Sequence, residues 1–403
     1  MKNCKKWSIK LEDKINHIHI AVNFYGNIIK INIMKKIRYG IVGCGFFGTV
    51  HAKELKKIKN AELISVYSRS GNSAKNLSLK VGCEYNLHLN DLMKRKDIDA
   101  IIVTSPNHLH KKPVKLAAEN KKHILCEKPF ATSIGDAEEM IKSVKKNKIK
   151  LMVGHMMHFY PGMIKIKKII ESNILGRPLV AHVERTGWEN KMKKISWKKM
   201  QNKSGGHLFH HIHEIDLLSW YMGSVESVYC AGGNLAHQGK GFGTEDDILL
   251  LTLHFKNGTY ATMQYGSGFR LGEHFFKINF EKGNIILDNK KSSFIVVNEK
   301  NELKTIPMFE GNKRNLSMKN LFKKTDGGVT FGKPGQDAEL FLAKAVKDEL
   351  EYFNGVLMGT SSTKSKKELF GGESALHAIK ISSACLKSKK VKSRVKVNDQ
   401  KLL

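Results

Sequence analysis

The stretch Ile37-Arg38-Tyr39-Gly40-Ile41-Val42-Gly43-Cys44-Gly45-Phe46-Phe47-Gly48 decides the fold of this chain. A short apolar run leads directly into three glycines with G-x-G-x-x-G spacing, and a helical stretch, Val50 to Ile58, follows. At such a turn Gly43 permits the sharp bend, Gly45 lets a pyrophosphate approach the backbone, and Gly48 lets the helix pack closely. The helix N-terminus then offers free N–H groups to the phosphates. A plain strand-to-helix turn is the alternative, but the flanking elements favour a dinucleotide site formed by Gly43, Gly45, Phe46, Phe47 and Gly48.

The sequence changes in texture near His155. Before it, apolar runs alternate with helical stretches, and Ile101-Ile102-Val103 suits a strand covered on both faces. Strands that alternate with helices pair in parallel through right-handed crossovers. After it, segments such as Ile248 to Phe255 are bounded by turn signals such as Lys256-Asn257-Gly258, which is typical of hairpins. The predicted fold class is α/β: an N-terminal Rossmann domain with a doubly wound parallel sheet, and a C-terminal α+β domain with a large, mostly antiparallel open sheet.

We expect three segments along the chain. Residues 34–155 are predicted to form the dinucleotide-binding Rossmann domain, and residues 156–403 a C-terminal domain for substrate binding and oligomerisation. Residues 1–33 precede Met34, where a Rossmann domain would ordinarily begin. Charged and polar residues interrupt their apolar positions, which argues against a secretory signal. We interpret 1–33 as an appendage, either disordered or translated from a misassigned start.

The composition excludes several classes of protein. A chain of 403 residues with 41% hydrophobic content is expected to fold into two domains. The net charge of +32 comes from lysines spread over nearly every segment, without a nucleic-acid-binding signature. The six cysteines are scattered without a C-x-x-C pair, as in a reducing compartment. No apolar run approaches the roughly 18 residues of a membrane span. We expect a soluble cytoplasmic protein with no specific nucleic-acid or membrane partner.

The end of the second predicted strand bears on the choice of cofactor. An NAD-specific Rossmann domain has an acidic residue there, which holds the ribose 2′-hydroxyl. Here Leu63 to Tyr67 is followed by Ser68-Arg69-Ser70. An arginine and hydroxyls suit a 2′-phosphate, which a carboxylate would repel. Ser68 and Arg69 therefore favour NADP slightly over NAD, although an exposed arginine in a turn is the common alternative.

Five motifs together make the chain similar to a known family. They are Gly43 to Gly48, Ser105-Pro106-Asn107-His108-Leu109-His110, Glu127-Lys128-Pro129, Gly154-His155, and Gly205-Gly206 followed by His213-Glu214-Ile215-Asp216. From about Met34 to Val395 the chain resembles the glucose-fructose oxidoreductase and inositol dehydrogenase family, abbreviated Gfo/Idh/MocA. The resemblance implies a Rossmann domain, a C-terminal domain with a large open sheet, and oxidation or reduction of sugars, cyclitols or related polyols.

The resemblance also implies where the cofactor meets the substrate. Glu127 and Lys128 would lie beside the nicotinamide ribose, with Lys128 pointing toward the substrate hydroxyl and a cis bond before Pro129. An ammonium near an oxidised nicotinamide has a lowered pKa and can polarise a hydroxyl or relay a proton. One more exposed lysine in a lysine-rich chain is the alternative. The other cofactor-binding residues expected are Ser105, Pro106, Asn107 and His110.

A histidine-rich segment is the unusual part of the chain, and we predict a single helix there that runs to Tyr221. In the family this helix commonly presents an Asp, a His four residues later and another Asp three beyond. His213 and Asp216 match the last two. The first Asp would fall at Phe209 in strict register, or at His210 if one residue is deleted in the glycine loop.

His213 is predicted to be the general acid/base that exchanges a proton with the sugar hydroxyl, assisted by Lys128, since an imidazole titrates near neutrality. His210 is predicted to replace the absent Asp as an orienting or substrate-binding group. We therefore assign catalytic roles to Lys128, His213 and His210.

So many histidines also raise the possibility of a divalent metal. His207 with His211, or His210 with His213 and Glu214, would share a helix face. Because the resembling family works without a metal, we expect none.

Other residues near these motifs are candidates for substrate binding. His155 and His158 follow the last Rossmann strand, and relatives often have an Arg near the position of His158. Trp188 and Trp197 precede the histidine segment, and aromatic faces stack on sugar rings, although burial in the core explains a Trp equally well. The predicted substrate-binding residues are His155, His158, Trp188, Trp197 and Asp216.

The predicted function is an NAD(P)-dependent oxidoreductase that transfers a hydride between a nicotinamide and a secondary hydroxyl of a sugar, glycoside or cyclitol. A redox-cycling enzyme that transiently oxidises a sugar, cleaves it and reduces it again is one alternative. A noncatalytic dinucleotide-binding regulator of the same fold is another. An exposed face of the C-terminal sheet would favour a homodimer or homotetramer.

Overall fold

The computed structural model describes residues 9–14, 17–24, 27–34, 36–324, 332 and 336–397. Three strands, β1 (Ile9–Lys14), β2 (His17–Phe24) and β3 (Asn27–Met34), form a separate antiparallel sheet. Strands therefore run through the described part of segment 1–33, for which the sequence left disorder open. The remaining residues of that segment, and residues 398–403 of the predicted C-terminal domain, lie outside the described part of the chain.

Six parallel strands form the Rossmann sheet in the order β6-β5-β4-β7-β8-β9. They are β4 (Ile37–Val42), β5 (Ala61–Tyr67), β6 (Glu84–Asn86), β7 (Ala100–Val103), β8 (His123–Glu127) and β9 (Leu151–Gly154). Every residue of β7 is fully buried, as expected for a strand covered on both faces. The order reverses between β4 and β7, and an open α/β sheet places its ligands at such a switch point.

Five helices connect these strands. They are α1 (Phe46–Leu55), α2 (Gly71–Val81), α3 (Leu89–Lys94), α4 (Lys111–Glu119) and α5 (Ile134–Asn147). Ser133 caps α5 by accepting a hydrogen bond from the backbone N–H of Asp136, which satisfies an orphan donor of the first turn. The predicted alternation of parallel strands and helices is confirmed.

Nine strands form the C-terminal sheet in the order β17-β16-β15-β14-β10-β13-β12-β11-β18. They are β10 (Pro178–Thr186), β11 (Val225–Gly233), β12 (Ile248–Phe255), β13 (Tyr260–Gly266), β14 (His274–Phe280), β15 (Gly283–Asp288), β16 (Ser293–Asn298), β17 (Leu303–Pro307) and β18 (Val395–Lys396). Neighbours pair antiparallel except β10 and β13, which are parallel. The predicted large, mostly antiparallel sheet is confirmed.

The helices that follow the Rossmann domain are α6 (Pro161–Glu171), α7 (Gln201–Ser204), α8 (His207–His210), α9 (His213–Met222), α10 (Asn312–Lys324), α11 (Leu340–Met358) and α12 (Glu373–Val391). Helix α12 packs on α9 and on β11. Helix α11 also contacts α1 and β4, and the Tyr39 hydroxyl donates to Asn354 Oδ1 at 2.9 Å. Helix α11 thus ties the Rossmann sheet to the C-terminal part, while the boundary between residues 155 and 156 stays a prediction.

The two faces of the C-terminal sheet differ in burial. Ala181, Val183, Leu251 and Met263 lie buried on the face that the helices cover. Other positions on these strands and on β11 are exposed, among them the large apolar residues Val180, Tyr229, Leu250 and Tyr260. No helix in the described part of the chain is long and apolar enough to cross a membrane.

Candidate active site

A cavity of about 1070 Å³ opens at the carboxyl ends of β4, β5 and β7. It is lined by nearly all of the residues predicted to bind the cofactor, which are Gly43, Gly45, Phe46, Phe47, Ser68, Arg69, Ser105, Pro106, Asn107, His110, Glu127 and Lys128. Gly48 does not line it. A Cβ on Gly48 would lie 1.9 Å from the carbonyl oxygen of Gly43, so Gly48 serves the packing of α1 on the turn.

The glycine turn fits a dinucleotide. Gly43 has φ +108°, and a Cβ there would lie 2.5 Å from the backbone nitrogen of Ser105. A Cβ on Gly45 would meet no atom of the described residues within 4 Å, so this backbone faces open space. Helix α1 begins directly after Gly45, which provides no side-chain cap. The first N–H groups of α1 are thus available to a phosphate, with the positive end of the helix dipole behind them.

The end of β5 forms the rim of this cavity. Ser68, Arg69, Ser70 and Ser73 line it, and Arg69 is exposed. No carboxylate stands among the residues that immediately follow β5, as the sequence predicted. The rim is therefore cationic and hydroxylic where a Rossmann fold places the adenosine ribose.

Asn107 and His110 line the cavity and also fasten its loops. Asn107 Nδ2 donates to the backbone carbonyl of Ser204 at 2.9 Å. His110 Nε2 lies 2.8 Å from the carbonyl oxygen of Ser105, and its Nδ1 lies 3.0 Å from that of Pro129. These side chains fix the relative positions of the turn after β7, the turn after β8 and the glycine loop before α8.

Glu127 at the end of β8 is held by buried partners. Its Oε1 lies 2.8 Å from His51 Nε2, and its Oε2 accepts a hydrogen bond from the backbone N–H of Lys128 at 3.2 Å. The fully buried Glu349 on α11 also lies nearby. The side chains of His51, Glu127 and Glu349 each place a possible metal-ligand atom within 4.8 Å of the other two. Burial raises the pKa of Glu349, and the charge of Glu127 adds to this effect.

Lys128 lies between the two parts of the molecule. Its peptide bond to Pro129 is cis, as predicted. Its Nζ donates to the backbone carbonyl of His210 at 3.0 Å. Burial lowers the pKa of Lys128 to about 8, and Arg185 contributes in the same direction, while Glu127 and Glu214 oppose the shift. An amine with this pKa can exchange a proton near neutral pH.

A second, smaller cavity of about 50 Å³ adjoins the first and shares four lining residues with it: Phe47, Lys128, Lys198 and His210. Its other lining residues are Met156, Met157, Tyr160, Arg185, His211, His213, His274, Asn289, Met318, Phe322 and Phe341. The two cavities meet at Lys128. A substrate beside Lys128 would thus lie between the dinucleotide site and this smaller cavity.

The prediction of one continuous histidine helix is wrong. The structure has two helices, α8 and α9, with a break at His211, where φ is −106° and ψ is 39°. The carbonyl of His210 accepts from Lys128, and the carbonyl of His211 accepts from the Tyr265 hydroxyl at 2.8 Å. Because both carbonyls are engaged by side chains, the intrahelical hydrogen-bond ladder is interrupted there.

The break decides which residue stands where the family has its first Asp. Phe209 is buried, and a Cβ on Gly205 would lie 2.6 Å from its ring. His210 lines both cavities, and His213 lines the smaller one. Burial above all lowers the pKa of His210 and of His213, and the positive charge of Lys128 adds to it. Both imidazoles are therefore held neutral.

Neither metal arrangement considered from the sequence brings three ligands together. His207 and His211 approach through their Nδ1 atoms at 3.4 Å. Glu214 accepts instead from Arg185 at 2.7 Å and from the Tyr265 hydroxyl at 2.8 Å, and its Oε1 also lies 2.9 Å from His274 Nε2. Among the described residues, the one group of three possible ligands is His51, Glu127 and Glu349.

His155, His158 and Asp216, three of the predicted substrate-binding residues, form a network behind His213. Asp216 Oδ2 lies 2.7 Å from His158 Nε2 and 3.3 Å from His155 Nδ1, and His158 Nδ1 lies 3.4 Å from Glu368. None of the three lines either cavity. Burial lowers the pKa of His158, but Asp216 and Glu368 outweigh it, so the net shift is upward. This network supports His213, whose ring is 6.0 Å from that of His155.

The two predicted tryptophans have different environments. Trp197 lines the larger cavity, with ring centroids 5.7 Å from His108 and 6.4 Å from His210. Trp188 lines neither cavity and packs 3.5 Å from the guanidinium of Arg270. The structure therefore brings Trp197, and not Trp188, to the site.

Sequence reasoning missed four polar residues of the smaller cavity, which are Arg185, Lys198, His274 and Asn289. Arg185 lies on β10 and is buried, so the available signal was an arginine that follows Ala181 and Val183 at the inward-facing alternate positions of the strand. Lys198 follows Trp197 in a lysine-rich loop, and Asn289 lies in a turn between β15 and β16. Neither has a local pattern that distinguishes it from surface residues.

Comparison with known proteins agrees with this architecture. The model for the family Gfo/Idh/MocA described as "Oxidoreductase family, NAD-binding Rossmann fold" matches residues 37–155. The model described as "Oxidoreductase family, C-terminal alpha/beta domain" matches residues 167–397. The two matches together span most of the chain.

Relatives and solved structures extend the comparison. The 2,7-anhydro-N-acetylneuraminate hydratase of Escherichia coli (strain K12) is 38% identical over 374 residues, which cover 90% of this chain and 98% of that protein. The hydratase of the same name from Mediterraneibacter gnavus is 36% identical over 369 residues, 91% of this chain and 98% of its own. Levoglucosan dehydrogenase in complex with NADH and levoglucosan superposes with a TM-score of 0.75 at 19% identity, covering 91% and 100% of the two chains. The chain belongs to the Gfo/Idh/MocA family of oxidoreductases.

Proposed function

We propose that this enzyme opens the anhydro bond of a sugar acid such as 2,7-anhydro-N-acetylneuraminate by oxidising and then reducing the same carbon. Two hydratases named for this compound match almost the whole chain. The observation that carries the proposal is the junction of the two cavities, where Lys128, Lys198 and His210 meet. Of the alternatives drawn from the sequence, the redox-cycling enzyme is thus the one we favour.

The chemistry of the compound identifies the carbon that would be oxidised. An oxygen is eliminated easily when it lies two carbons from a carbonyl. Of the secondary hydroxyls, only the one at carbon 4 gives a ketone so placed with respect to the anhydro bond at carbon 2. A proton then leaves carbon 3 as the bond from carbon 2 to oxygen 7 breaks, and oxygen 7 gains a proton. Water adds its oxygen to carbon 2 and a proton to carbon 3, so the net reaction is hydration.

The cofactor, bound along the glycine turn, accepts the hydride of carbon 4 and returns it. Lys128 is proposed to exchange the proton of the carbon 4 hydroxyl, because its lowered pKa of about 8 suits transfer near neutrality. The sequence predicts this role for His213, but Lys128 lies where the two cavities meet, whereas His213 lines only the smaller one.

The reaction needs a second group for the proton at carbon 3. His213 lines the smaller cavity and is held neutral, so it is proposed to take and return that proton. His210 lines both cavities and is proposed to orient the departing oxygen or the incoming water. Proton transfer at carbon 3 and at the departing oxygen is separate from proton transfer at carbon 4. This accounts for the two histidines beside Lys128.

The charges around the junction favour an anionic sugar. Lys128, Lys198 and Arg185 are cationic side chains that line the smaller cavity, and Glu214, which neutralises Arg185, does not line it. Burial lowers the pKa of Lys198, as does its neighbour Lys199. A carboxylate of the substrate would compensate this desolvated charge, whereas a neutral polyol would not.

The test is to incubate the enzyme and substoichiometric NAD⁺ with 2,7-anhydro-N-acetylneuraminate and to follow free N-acetylneuraminate by NMR. We expect many turnovers per dinucleotide with no lasting accumulation of the reduced cofactor. Reduction of the cofactor in proportion to substrate, with no hydrated product, would instead identify a simple sugar dehydrogenase. Dinucleotide binding without any turnover on this compound would contradict the proposal.

The finer choice of cofactor and the oligomeric state are also proposals. Arg69 and the serines around it support acceptance of NADP as well as NAD. The exposed Leu250 and Tyr260 on the open face of the C-terminal sheet support a homodimer or homotetramer built through that face. Light scattering of the wild type and of Leu250→Lys tests this assembly: a monomeric wild type, or an unchanged oligomer in the variant, would contradict it.

A further inference from the structure

The side-chain amide of Asn289 is fully buried, and neither its Oδ1 nor its Nδ2 has a hydrogen-bond partner among the described residues. It lines the smaller cavity. Buried polar side chains nearly always have hydrogen-bond partners, so an amide without them at a cavity wall points to a partner bound in that cavity.

The surrounding backbone holds Asn289 firmly in place. Its N–H donates to the carbonyl of His274 at 3.1 Å, and its own carbonyl accepts from the N–H of Ser292 at 3.2 Å. The hydroxyl of Ser292 is in turn bonded to Asn315 on α10 at 2.8 Å. The amide is therefore presented from a turn fixed to both β14 and α10, and is ready to bind without further ordering.

The cavity around this amide suits a small substituent that is polar on one side and apolar on the other. At about 50 Å³ the cavity has room for a substituent of a few non-hydrogen atoms. Apolar side chains, Met318, Phe322 and Phe341, line the cavity together with Asn289. A sugar ring is too large for it, and the ring would remain at the junction beside Lys128.

We propose that Asn289 is the specificity residue that recognises the acetamido group of an N-acetylated sugar acid. This inference rests on the proposed function and names the substituent that the smaller cavity selects. The NH₂ group of Asn289 donates to the acetamido carbonyl. The methyl group packs against Met318 and Phe322. An acetamido group thus supplies both the acceptor that the orphaned NH₂ group lacks and an apolar end that the cavity wall accommodates.

Other substituents match the cavity less well. A hydroxyl would leave the apolar wall of the cavity empty. A carboxylate would be desolvated against Met318, Phe322 and Phe341, while the guanidinium of Arg185 is already paired with Glu214 at 2.7 Å. The carboxylate is better placed near Lys198, which reaches both cavities.

The experiment compares two substrates, 2,7-anhydro-N-acetylneuraminate and its analogue with a hydroxyl in place of the acetamido group. In the wild type we expect kcat/KM to favour the acetamido compound by about 10- to 100-fold, since the analogue leaves buried polar groups unpaired. Asn289→Leu should reduce this preference to within a few-fold, mainly by raising KM for the acetamido compound. The matched control is Asn284→Leu on the same hairpin, outside the lining of either cavity, which should leave the preference unchanged.

The outcomes separate this inference from the proposed function. If the wild type hydrates neither compound, the proposed function fails. Asn289 is then tested by itself by equilibrium binding to the enzyme–dinucleotide complex. The two ligands compared are the methyl glycosides of N-acetylneuraminate and of its 5-hydroxy analogue. If the wild type hydrates the acetamido compound but Asn289→Leu weakens both substrates equally, the assignment of Asn289 is wrong while the function stands. If Asn289→Leu does not fold, Asn289→Asp serves in its place. It should shift the preference toward a third compound, in which a free ammonium group replaces the acetamido group. An unshifted preference overturns the inference.

Discussion

Lys128 donates a hydrogen bond from Nζ to the backbone carbonyl of His210 at 3.0 Å, across the boundary between the Rossmann sheet and the histidine segment. Lys128 follows β8, and the carbonyl that it binds lies at the break between α8 and α9. This contact therefore fixes the position of the amine. It also occupies a backbone carbonyl at the point where the helix is interrupted. The position of Lys128, the proposed proton-transfer group, depends on this pair.

The lowered pKa of Lys128 predicts a pH dependence. If the neutral amine accepts the hydroxyl proton, the rate of cofactor reduction in a single turnover should rise with pH and level off above about 8. Lys128→Met should lower this rate by about 10²- to 10⁴-fold, the usual range for loss of a general base, with dinucleotide affinity retained. Lys128→Arg keeps the positive charge but should lose the titration near 8. A wild-type rate that is constant from pH 6 to 9 would refute the role.

Lys198 is expected to govern affinity for acidic substrates. Lys198→Met should raise KM by about 10-fold or more, because a charge-assisted hydrogen bond contributes about 1.5–3 kcal/mol, and should leave kcat within a few-fold. Lys194→Met removes the same charge from an exposed position of the same loop and serves as the control. Steady-state kinetics at two salt concentrations measure both variants. Equal effects of the two substitutions would mean that general surface charge, and not Lys198, attracts the substrate.

The rim of the dinucleotide cavity predicts a selective effect on NADP. Arg69→Gln should weaken NADP binding by about 10- to 100-fold, since an arginine contact with phosphate is charge-assisted, and should leave NAD binding nearly unchanged. Fluorescence titration with each reduced dinucleotide gives both constants. A parallel loss of both affinities would show that Arg69 does not read the 2′ position.

Gly48 in the glycine turn and Gly135 on α5 provide a matched pair of substitutions. Gly48→Ala would place a Cβ 1.9 Å from the backbone oxygen of Gly43. We therefore expect the free energy of unfolding to fall by about 1–3 kcal/mol or more, and dinucleotide binding to be lost as well. Gly135→Ala on α5 meets no described atom within 4 Å and should stabilise by up to about 1 kcal/mol. Chemical unfolding compares them. A Gly48→Ala protein as stable as the wild type would contradict the close packing of α1.

Local patterns were enough to predict one half of the site. The glycine turn, the Ser105 to His110 turn and Glu127-Lys128-Pro129 each follow a strand directly, and parallel strands bring their carboxyl ends to one edge of a sheet. The sequence therefore grouped residues that do line the larger cavity, Lys128 among them, without knowledge of distant contacts.

The other half depends on contacts between distant parts of the chain. Arg185 on β10 reaches Glu214 on α9, and Asn289 comes from a hairpin much later in the chain. The break at His211 also depends on Tyr265 of β13. Its hydroxyl donates a hydrogen bond to the backbone carbonyl of His211, which a continuous helix would use for its own hydrogen bonding. From the sequence, the segment from His207 to Tyr221 has the pattern of one helix. Nothing within that segment encodes the two donors from outside it, Lys128 and Tyr265.

Glu214 is the partner that these distant contacts share, and its loss should be destabilising in a pH-dependent way. Burial raises its pKa, but Arg185, His274 and Tyr265 outweigh this, so the pKa of Glu214 is held below its usual range. The stabilisation is therefore present above the ordinary Glu pKa of about 4.3 and is lost as pH falls through the depressed value. Glu214→Gln should cost about 3–5 kcal/mol at neutral pH, the range for breaking a buried ion pair. The difference from the wild type in urea unfolding should narrow only at acidic pH; Glu171→Gln, on an exposed residue of α6, should change little. A cost that is the same at pH 7 and pH 3 would show that packing, and not the charge of Glu214, holds Arg185 and His274 at the smaller cavity.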